Sequence, residues 1–315
     1  MVMDSTKTQT RTEPGMNGSG ENGQGAEKKP TRIDVLKTYK IYIDGKFPRT
    51  ESGRYYILHD KTGKQLANIC SSSRKDFRES VVAARKAQPG WAARSAFNKG
   101  QILYRIAEVL EGRKAQFIDE LVQQGSTKAS ATEEVNLAVD RLVHYAGWCD
   151  KFIQVFSSVN PVESSHFNFS VPEPTGVVSI IANEHTGLTG LVSVIAPAIA
   201  GGNTVIVLAS KSKPLCAISF AEVLQTSDVP AGVVNILTGD ANELHTHFSS
   251  HMDVNATVYC NTDAEQIKTV QTNAALNVKR VLLYGQHDWM NPDAQSPYFI
   301  MDLQEIKTTW HPIGQ

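Results

Sequence analysis

The sequence lacks several features that would place it in a specialised class of protein. Its 315 residues contain no apolar run of the roughly 18 residues needed to span a bilayer. The N-terminus has no apolar segment typical of a secretory signal, so we expect a cytoplasmic protein. The formal net charge is only −1, which gives no reason to expect nucleic acid or an anionic membrane as the main partner.

Cysteine is scarce, and its spacing argues against a metal site or a disulfide framework. The four cysteines, Cys70, Cys149, Cys216 and Cys260, lie far apart and form no CxxC motif. Such spacing is typical of free thiols in a reducing compartment. We therefore expect neither structural zinc nor disulfide bonds.

The first 36 residues are poor in apolar side chains and rich in Thr, Ser, Gly, Glu and Lys. This composition predicts a disordered tail, because little apolar surface is available to offset chain entropy. Order should begin at "YKIYIDGKF", where Ile41 and Ile43 alternate with polar residues and Asp44-Gly45 predicts a hairpin turn.

Residues 37–156 predict this hairpin followed by a layer of helices. Ser73 and Asp76 have the spacing of a capping box ahead of an apolar face. Further helices are expected near residues 101–111 and 114–124.

The longest predicted helix opens with a second capping box, Ser130 and Glu133. Its apolar stripe runs from Val135 to Phe156 and includes Cys149. That position favours a core thiol over a nucleophile.

Residues 174–284 change to apolar strands that alternate with helices, which predicts an α/β fold with a parallel sheet of about five strands covered on both faces. Ligands of such sheets bind beyond the carboxyl ends of the strands. The predicted strands are 177–181, 204–208, 233–237, 256–259 and 281–284, and the predicted helices lie near 188–200, 214–226, 241–250 and 263–276.

The stretches "VIAPAIAGGNTVIVL", "VPAGVVNILTGD" and "SHMDVNATVYC" resemble the NAD-binding half of the aldehyde dehydrogenase superfamily, and the resemblance covers about residues 38–284. It implies a Rossmann-like sheet with an N-terminal helical layer. The regions 157–173, with "FNFSVPEP", and 298–315, with "LQEIKTTWHPIG", resemble the strands of a projecting oligomerisation sheet, joined here by a polar bridging loop at 285–297. The whole chain is most similar to the C-terminal half of the two-domain, sixteenth aldehyde dehydrogenase family.

The resemblance implies cofactor residues, most of which are replaced. The family's Lys and Glu for the adenosine ribose correspond to Leu208 and Lys211, and its Gly-Ser-Thr-Glu turn corresponds to residues 261–264. Only Gly239 and Thr262 remain compatible as cofactor-binding residues. We therefore expect no cofactor, with weak binding of NAD or NADP as the alternative.

The catalytic residues implied by the resemblance are also replaced. The Asn that donates to the oxyanion corresponds to His185, which is interpreted as a donor or, more simply, as a solvated loop residue. The Glu that activates water corresponds to Tyr284. The nucleophilic Cys follows that strand in the family, whereas the 31 residues after Tyr284 contain none, so we expect the catalytic domain to be absent and no residue to be catalytic.

Two further groups have alternative interpretations. Glu243, His247 and His251 lie at i+4 steps, as in a metal site or in an exposed polar helix face. Cys260 at a strand end is either an exposed reactive thiol or an inert substitution.

Two hypotheses about function remain open. In the first, the chain is a non-catalytic structural or regulatory subunit, a pseudoenzyme that forms a homodimer or joins an active aldehyde dehydrogenase through its oligomerisation strands. In the second, it is an NAD(P)-dependent aldehyde oxidoreductase or its nucleotide-binding accessory subunit, an expectation that rests on the fold alone.

Overall fold

The computed structural model describes residues 35–314, so the predicted tail, residues 1–36, lies almost entirely outside the described part. The regular elements begin with a short sheet and a series of helices. They are β1 (Thr38–Tyr39), β2 (Tyr55–His59), β3 (Gln65–Cys70), α1 (Arg74–Ala92), α2 (Ala96–Gly112), α3 (Lys114–Gln123), α4 (Lys128–Trp148) and α5 (Phe152–Phe156).

The N-terminal turn is confirmed, but the alternation of buried and exposed residues before it is not. Asp44 and Gly45 both have positive φ, and Ile43 and Lys46 exchange two backbone hydrogen bonds of 3.0 Å, as in a tight hairpin turn. Tyr42 is as buried as Ile41, because it pairs with Ile236 at the edge of the central sheet. Both faces of this segment are therefore covered.

Helix α1 begins as predicted, with the capping box of Ser73 and Asp76. The prediction for α4 was wrong at both ends. Thr127 caps the helix by accepting from the backbone N–H of Ser130 at 3.2 Å, so the helix begins before the expected Ser130–Glu133 box. It ends at Trp148, and the side chain of Ile153 in the separate helix α5 is 42% exposed rather than part of a continuous apolar stripe.

The central parallel sheet agrees closely with the sequence prediction. All of its paired neighbours run parallel, in the order β10-β9-β6-β7-β8. Four helices connect these strands, and Trp91 of α1 ties the helical layer to α6 by donating from Nε1 to the carbonyl of Ile199 at 3.0 Å. The elements are β6 (Val177–Ile181), α6 (Thr189–Ala200), β7 (Thr204–Leu208), α7 (Leu215–Gln225), β8 (Val234–Leu237), α8 (Ala241–Ser250), β9 (Ala256–Tyr259), α9 (Ala264–Ala275) and β10 (Arg280–Leu283).

A third, antiparallel sheet is formed by β4 (Ser158–Asn160), β5 (His166–Pro174) and β11 (Gln304–Pro312), in the order β11-β5-β4. Nine residue pairs join β5 to β11, from Gln304 opposite Pro174 to Pro312 opposite His166. The predicted terminal strand region, 298–315, is only partly a strand, because it starts with the short helix α10 (Tyr298–Met301). Phe299 and Ile300 are buried there, which anchors the segment before β11.

The loop at 285–297 contains no regular element, as expected of a bridge, but it is not polar throughout. Trp289 is buried against the rings of Tyr284 and Phe299. Across residues 35–314, each helix is too short or too polar to cross a membrane.

The side chain of Asn203 links the central sheet to the β11-β5-β4 sheet. Its Oδ1 accepts from the N–H of Gly176 at 2.9 Å, and its Nδ2 donates to the carbonyls of Ala198 and Leu303 at 3.3 and 3.0 Å. Because Asn203 is fully buried, none of these groups has water as a substitute.

We expect Asn203→Ala to lower the free energy of unfolding by about 2 kcal/mol, since the buried N–H of Gly176 loses its acceptor, while the carbonyls of Ala198 and Leu303 keep the N–H groups of Asn203 and Thr175. Chemical denaturation measures this change. Asn273→Ala is the matched control, because that side chain makes one half-buried hydrogen bond to Ser249 and should cost less than about 1 kcal/mol. Equal stability of the two variants would contradict the role given to Asn203.

Candidate functional site

A crevice of about 680 Å³ opens at the carboxyl edge of the parallel sheet, where the order of strands reverses around β6. Its walls come from the segments that follow β6, β7, β8 and β9. The lining residues are Tyr56, Glu184, His185, Lys211, Ser212, Asp240, Ala241, Asn242, Tyr259, Cys260, Asn261, Thr262, Asp263, Gln266 and Gly285.

The N-terminus of α6, next to this crevice, is capped by a buried carboxylate from α4. Glu134 Oε1 accepts from the N–H groups of Gly187, Leu188 and Thr189 at 2.8, 2.7 and 3.2 Å. The Thr189 hydroxyl donates to the Glu134 carbonyl at 2.7 Å. A helix N-terminus at this position is where parallel-sheet proteins bind phosphate. Here the side chain of Glu134 satisfies the N–H groups that a phosphate would otherwise bind.

Sequence reasoning missed Glu134 because the spacing of a capping box from Ser130 selects its neighbour, Glu133. Glu133 is exposed, whereas Glu134 is buried. A signal was present: Glu134 lies three residues after Ala131 and four before Ala138, on the buried face of α4. A carboxylate on an apolar face requires a buried partner.

A second carboxylate, Glu184, joins the loop after β6 to the loop after β7. Its Oε2 accepts from the Ser210 hydroxyl at 2.7 Å and from the Ser212 N–H and hydroxyl at 3.1 and 2.9 Å. Its Oε1 accepts from the Lys211 N–H at 3.0 Å. The backbone donors of this loop therefore point to a protein carboxylate.

Helices α8 and α9 are also capped by carboxylates, in each case that of the residue just before the helix. Asp240 accepts from the Asn242 N–H at 2.9 Å at the start of α8, and Asp263 accepts from the Gln266 N–H at 2.9 Å at the start of α9. Lys211 donates to Asp240 at 2.6 Å, and this hydrogen bond is the main reason that the pKa of Asp240 is lowered. The ammonium group that lines the crevice is thus already paired.

The ionisable side chains that line the crevice are mainly acidic. Its walls carry the carboxylates of Glu184, Asp240 and Asp263, against the paired ammonium of Lys211 and the imidazole of His185. Thr262 lines the crevice, whereas Gly239 only precedes the lining residue Asp240. Their contact with a dinucleotide stays a prediction.

His185 has an exposed side chain in the loop after β6. Its backbone is fixed instead: the N–H donates to Asn183 at 2.9 Å and the carbonyl accepts from Lys213 Nζ at 2.7 Å. This placement favours the solvated-loop interpretation.

The cysteines are all buried. The hypothesis of an exposed, reactive Cys260 was wrong, because its side chain is 3% exposed and burial raises its pKa to about 12. The core position of Cys149 is confirmed, and burial raises its pKa to about 12 as well. Burial also raises the pKa of Cys216 well above its ordinary value. A nucleophilic thiolate needs the opposite environment.

Tyr284 occupies the position that the family resemblance gives to a catalytic Glu. It is buried, and its hydroxyl donates to Asp302 Oδ2 at 2.7 Å. Burial, followed by this carboxylate, raises the pKa of the phenol. The group therefore stays protonated and does not act as a general base.

The placement of the α8 residues favours the interpretation as an exposed polar helix face. Within residues 35–314, no group of three potential ligands is placed to hold a metal ion. Glu243 pairs with Arg54 at 2.9 Å, and His251 lies beyond the last residue of α8.

Comparison with known proteins gives the family. Residues 47–285 match the model of the aldehyde dehydrogenase family. The chain belongs to the aldehyde dehydrogenase family. It is 30% identical to "Aldehyde dehydrogenase, cytosolic 1" of Elephantulus edwardii over 260 residues, which are 80% of this chain and 51% of that protein.

Two further relatives of this family member show the same partial coverage. The cytosolic 10-formyltetrahydrofolate dehydrogenase of Mus musculus is 27% identical over 84% of this chain and 31% of its own length. The NAD+ complex of aldehyde dehydrogenase from Bacillus cereus superposes with a TM-score of 0.74 at 23% identity, over 78% of this chain and 50% of that one, which shows the fold alone. The chain therefore spans about half of the length of these relatives, or less.

We expect Glu134→Ala to destabilise this family member by about 3 kcal/mol, because three buried N–H groups lose their acceptor. Glu134→Gln keeps one acceptor oxygen and should cost less. Thermal and chemical denaturation measure both changes. Glu133→Ala, one position away and exposed, is the control and should stay within about 0.5 kcal/mol of the wild type. A Glu134→Ala variant as stable as this control would refute the capping role.

Proposed function

We propose that this chain is a non-catalytic subunit of the aldehyde dehydrogenase family that associates with a second subunit, either another copy of itself or an active aldehyde dehydrogenase. The observation that carries the proposal is the free edge of β11. This strand has nine residues, all exposed except Gln304. Its one edge pairs with β5, and within residues 35–314 no strand pairs with the other. An edge of this length is a template for another strand.

The neighbouring sheet face supports the same proposal. Phe167, Phe169 and Val171 alternate along β5 and so share one face, and Val159 lies opposite Phe169. The side chains of Val159 and Phe167 are 69% and 45% exposed. They line a shallow depression of about 290 Å³. Exposed apolar surface beside a free strand edge is typical of an interface.

The absence of catalysis is proposed on chemical grounds within this chain. Aldehyde oxidation by the family's route needs a thiolate and a base, whereas all four cysteines are buried and Tyr284 donates to Asp302. On the resemblance of the terminal strands, we also propose that the nearest counterpart is the C-terminal half of the two-domain, sixteenth family.

The crevice residues do not fit NAD or NADP. A pyrophosphate at this edge would meet helix N-termini already capped by Glu134, Asp240 and Asp263. The ribose position holds Leu208, which is buried, and Lys211, which is paired with Asp240. We therefore propose that the subunit works without a dinucleotide of its own.

Sedimentation velocity tests association through β11. The purified chain should sediment as a dimer, or as a complex when mixed with an active aldehyde dehydrogenase from the same cells. Ile306→Lys/Trp310→Lys should abolish this, because charged side chains on an edge strand oppose pairing.

Val82→Lys/Phe97→Lys is the matched control, since these residues are 62% and 72% exposed on α1 and α2, outside the β11-β5-β4 sheet. It should associate like the wild type. A wild-type chain that stays monomeric both alone and with the active enzyme would contradict the proposal.

Calorimetry with NAD and NADP at millimolar concentrations tests the crevice. We expect no saturable heat from the wild type and measurable binding by Glu184→Gln/Asp240→Asn/Asp263→Asn, which removes three negative charges with little change of shape. Saturable binding by the wild type would favour a nucleotide-binding accessory subunit, and aldehyde turnover by the pure protein would favour an oxidoreductase.

A further inference from the structure

A separate pocket of about 350 Å³ lies between the beginning of α1 and the end of α8. It shares no lining residue with the crevice at the carboxyl edge. Its lining residues are Arg74, Phe77, Arg78, His247, Ser250, His251 and Met252. All of its ionisable groups are basic.

The two arginines are the main charges of this pocket. Arg74 and Arg78 are four residues apart on α1, so they lie on one side of the helix. Among residues 35–314, neither guanidinium group forms an ion pair or a side-chain hydrogen bond. Both are exposed and thus accessible to a ligand.

Three acidic side chains of this region have other partners, whereas Asp253, next to the lining residue Met252, faces His251. Asp76 accepts from Ser73 and from the N–H of Glu51, whose carboxylate pairs with Lys75. Glu243 pairs with Arg54. The positive charge of the arginines is therefore not neutralised by these carboxylates.

Two histidines complete the polar wall. Burial, and then the charge of Arg74, lowers the pKa of His247. Burial is also the main reason that the pKa of His251 is lowered, and Lys279, Arg78 and Arg74 add to it, while Asp253 opposes them. Both imidazoles are thus mostly neutral at pH 7 and take up protons when an anion binds beside them.

The remaining wall is aromatic and rigid. Phe77 stacks on Phe248 with ring centroids 4.2 Å apart, and its ring meets the edge of His251 at 5.9 Å. Met252, which is 70% exposed, lies at the rim. Phe77 is only 1% exposed, so an apolar group of a ligand would contact mainly Met252 while its anionic group faces α1.

We propose that this pocket binds a small phosphomonoester, with the phosphate between Arg74 and Arg78 and the organic part against Met252 at the rim. Two guanidinium groups on successive helix turns suit the oxygens of one phosphate. The cavity is near the lower end of the range of small-molecule sites, which favours a compact ligand over a polymer. This assignment is independent of the subunit's mode of association.

Isothermal titration of the full chain with phenyl phosphate at pH 7 tests the site. Saturable one-to-one binding is expected, and Arg74→Gln/Arg78→Gln should weaken it by about tenfold or more. Lys75→Gln/Lys86→Gln removes the same charge from the same helix outside the pocket and should bind like the wild type. Circular dichroism establishes that each variant is folded.

Three results would overturn the proposal. They are an absence of saturable binding by the wild type, equal binding by Arg74→Gln/Arg78→Gln, and tighter binding of a DNA duplex than of phenyl phosphate at the same arginines. Should the double variant unfold, histidine NMR shifts of the wild type decide instead. Phenyl phosphate should move the signals of His247 and His251 but not that of His59, and unmoved signals would refute the site.

A pH series with phenyl sulfate, whose charge is constant, gives an independent readout. Affinity should rise severalfold as the pH falls from about 8 to about 5.5, because His247 and His251 become cationic. A flat or reversed profile would overturn the assignment. The charged groups that face these two histidines are Arg74 and Arg78 of α1, His245 of α8, Asp253 and Lys279.

Discussion

The packing of α4 and α6 on the central sheet depends on the hydrogen bonds that the buried carboxylate of Glu134 accepts. It accepts three N–H groups at the start of α6, and so it fixes the helix that connects the two central strands β6 and β7. The same contact holds α4, and with it the helical layer, against the sheet. A group that fixes the fold at this point also occupies the place where related folds bind an anion.

Carboxylates also bind the backbone N–H groups of the other loops at this edge of the sheet. Glu184, Asp240 and Asp263 each satisfy backbone donors that a bound phosphate would otherwise satisfy. A ligand-dependent site of this kind is ordered only when its ligand is present, whereas these loops are held by the chain itself. For the non-catalytic subunit proposed above, such contacts would keep the shape of these loops independent of a bound cofactor.

Much of the central fold could be predicted from the sequence. Strands buried on both faces are continuous apolar runs, and β6, β7 and β9 begin and end where those runs do. The start of α4 was not predictable to the residue, because Thr127 and Ser130 are equally suitable caps and only tertiary packing selects between them. The burial of Cys260 was missed for a similar reason, since a position at a strand end does not reveal what covers it.

The candidate site was harder to predict than the fold. The family resemblance predicts from the sequence that the cofactor residues are replaced, but the contacts made by Glu134 and Glu184 could not be predicted from it. Glu134 lies some fifty residues before the N–H groups it binds, and Glu184 faces a loop from the next strand. Local patterns carry no information on such pairs.

Because β5 pairs with β11, its main partner strand is synthesised long after β5 itself. Ser170 and Thr308 touch through their hydroxyl groups although 138 positions separate them. While the ribosome works through that interval, β5 has only the three residues of β4 beside it. During that interval the aromatic side chains of β5 are exposed to solvent. A chaperone or another nascent chain that binds them competes with β11.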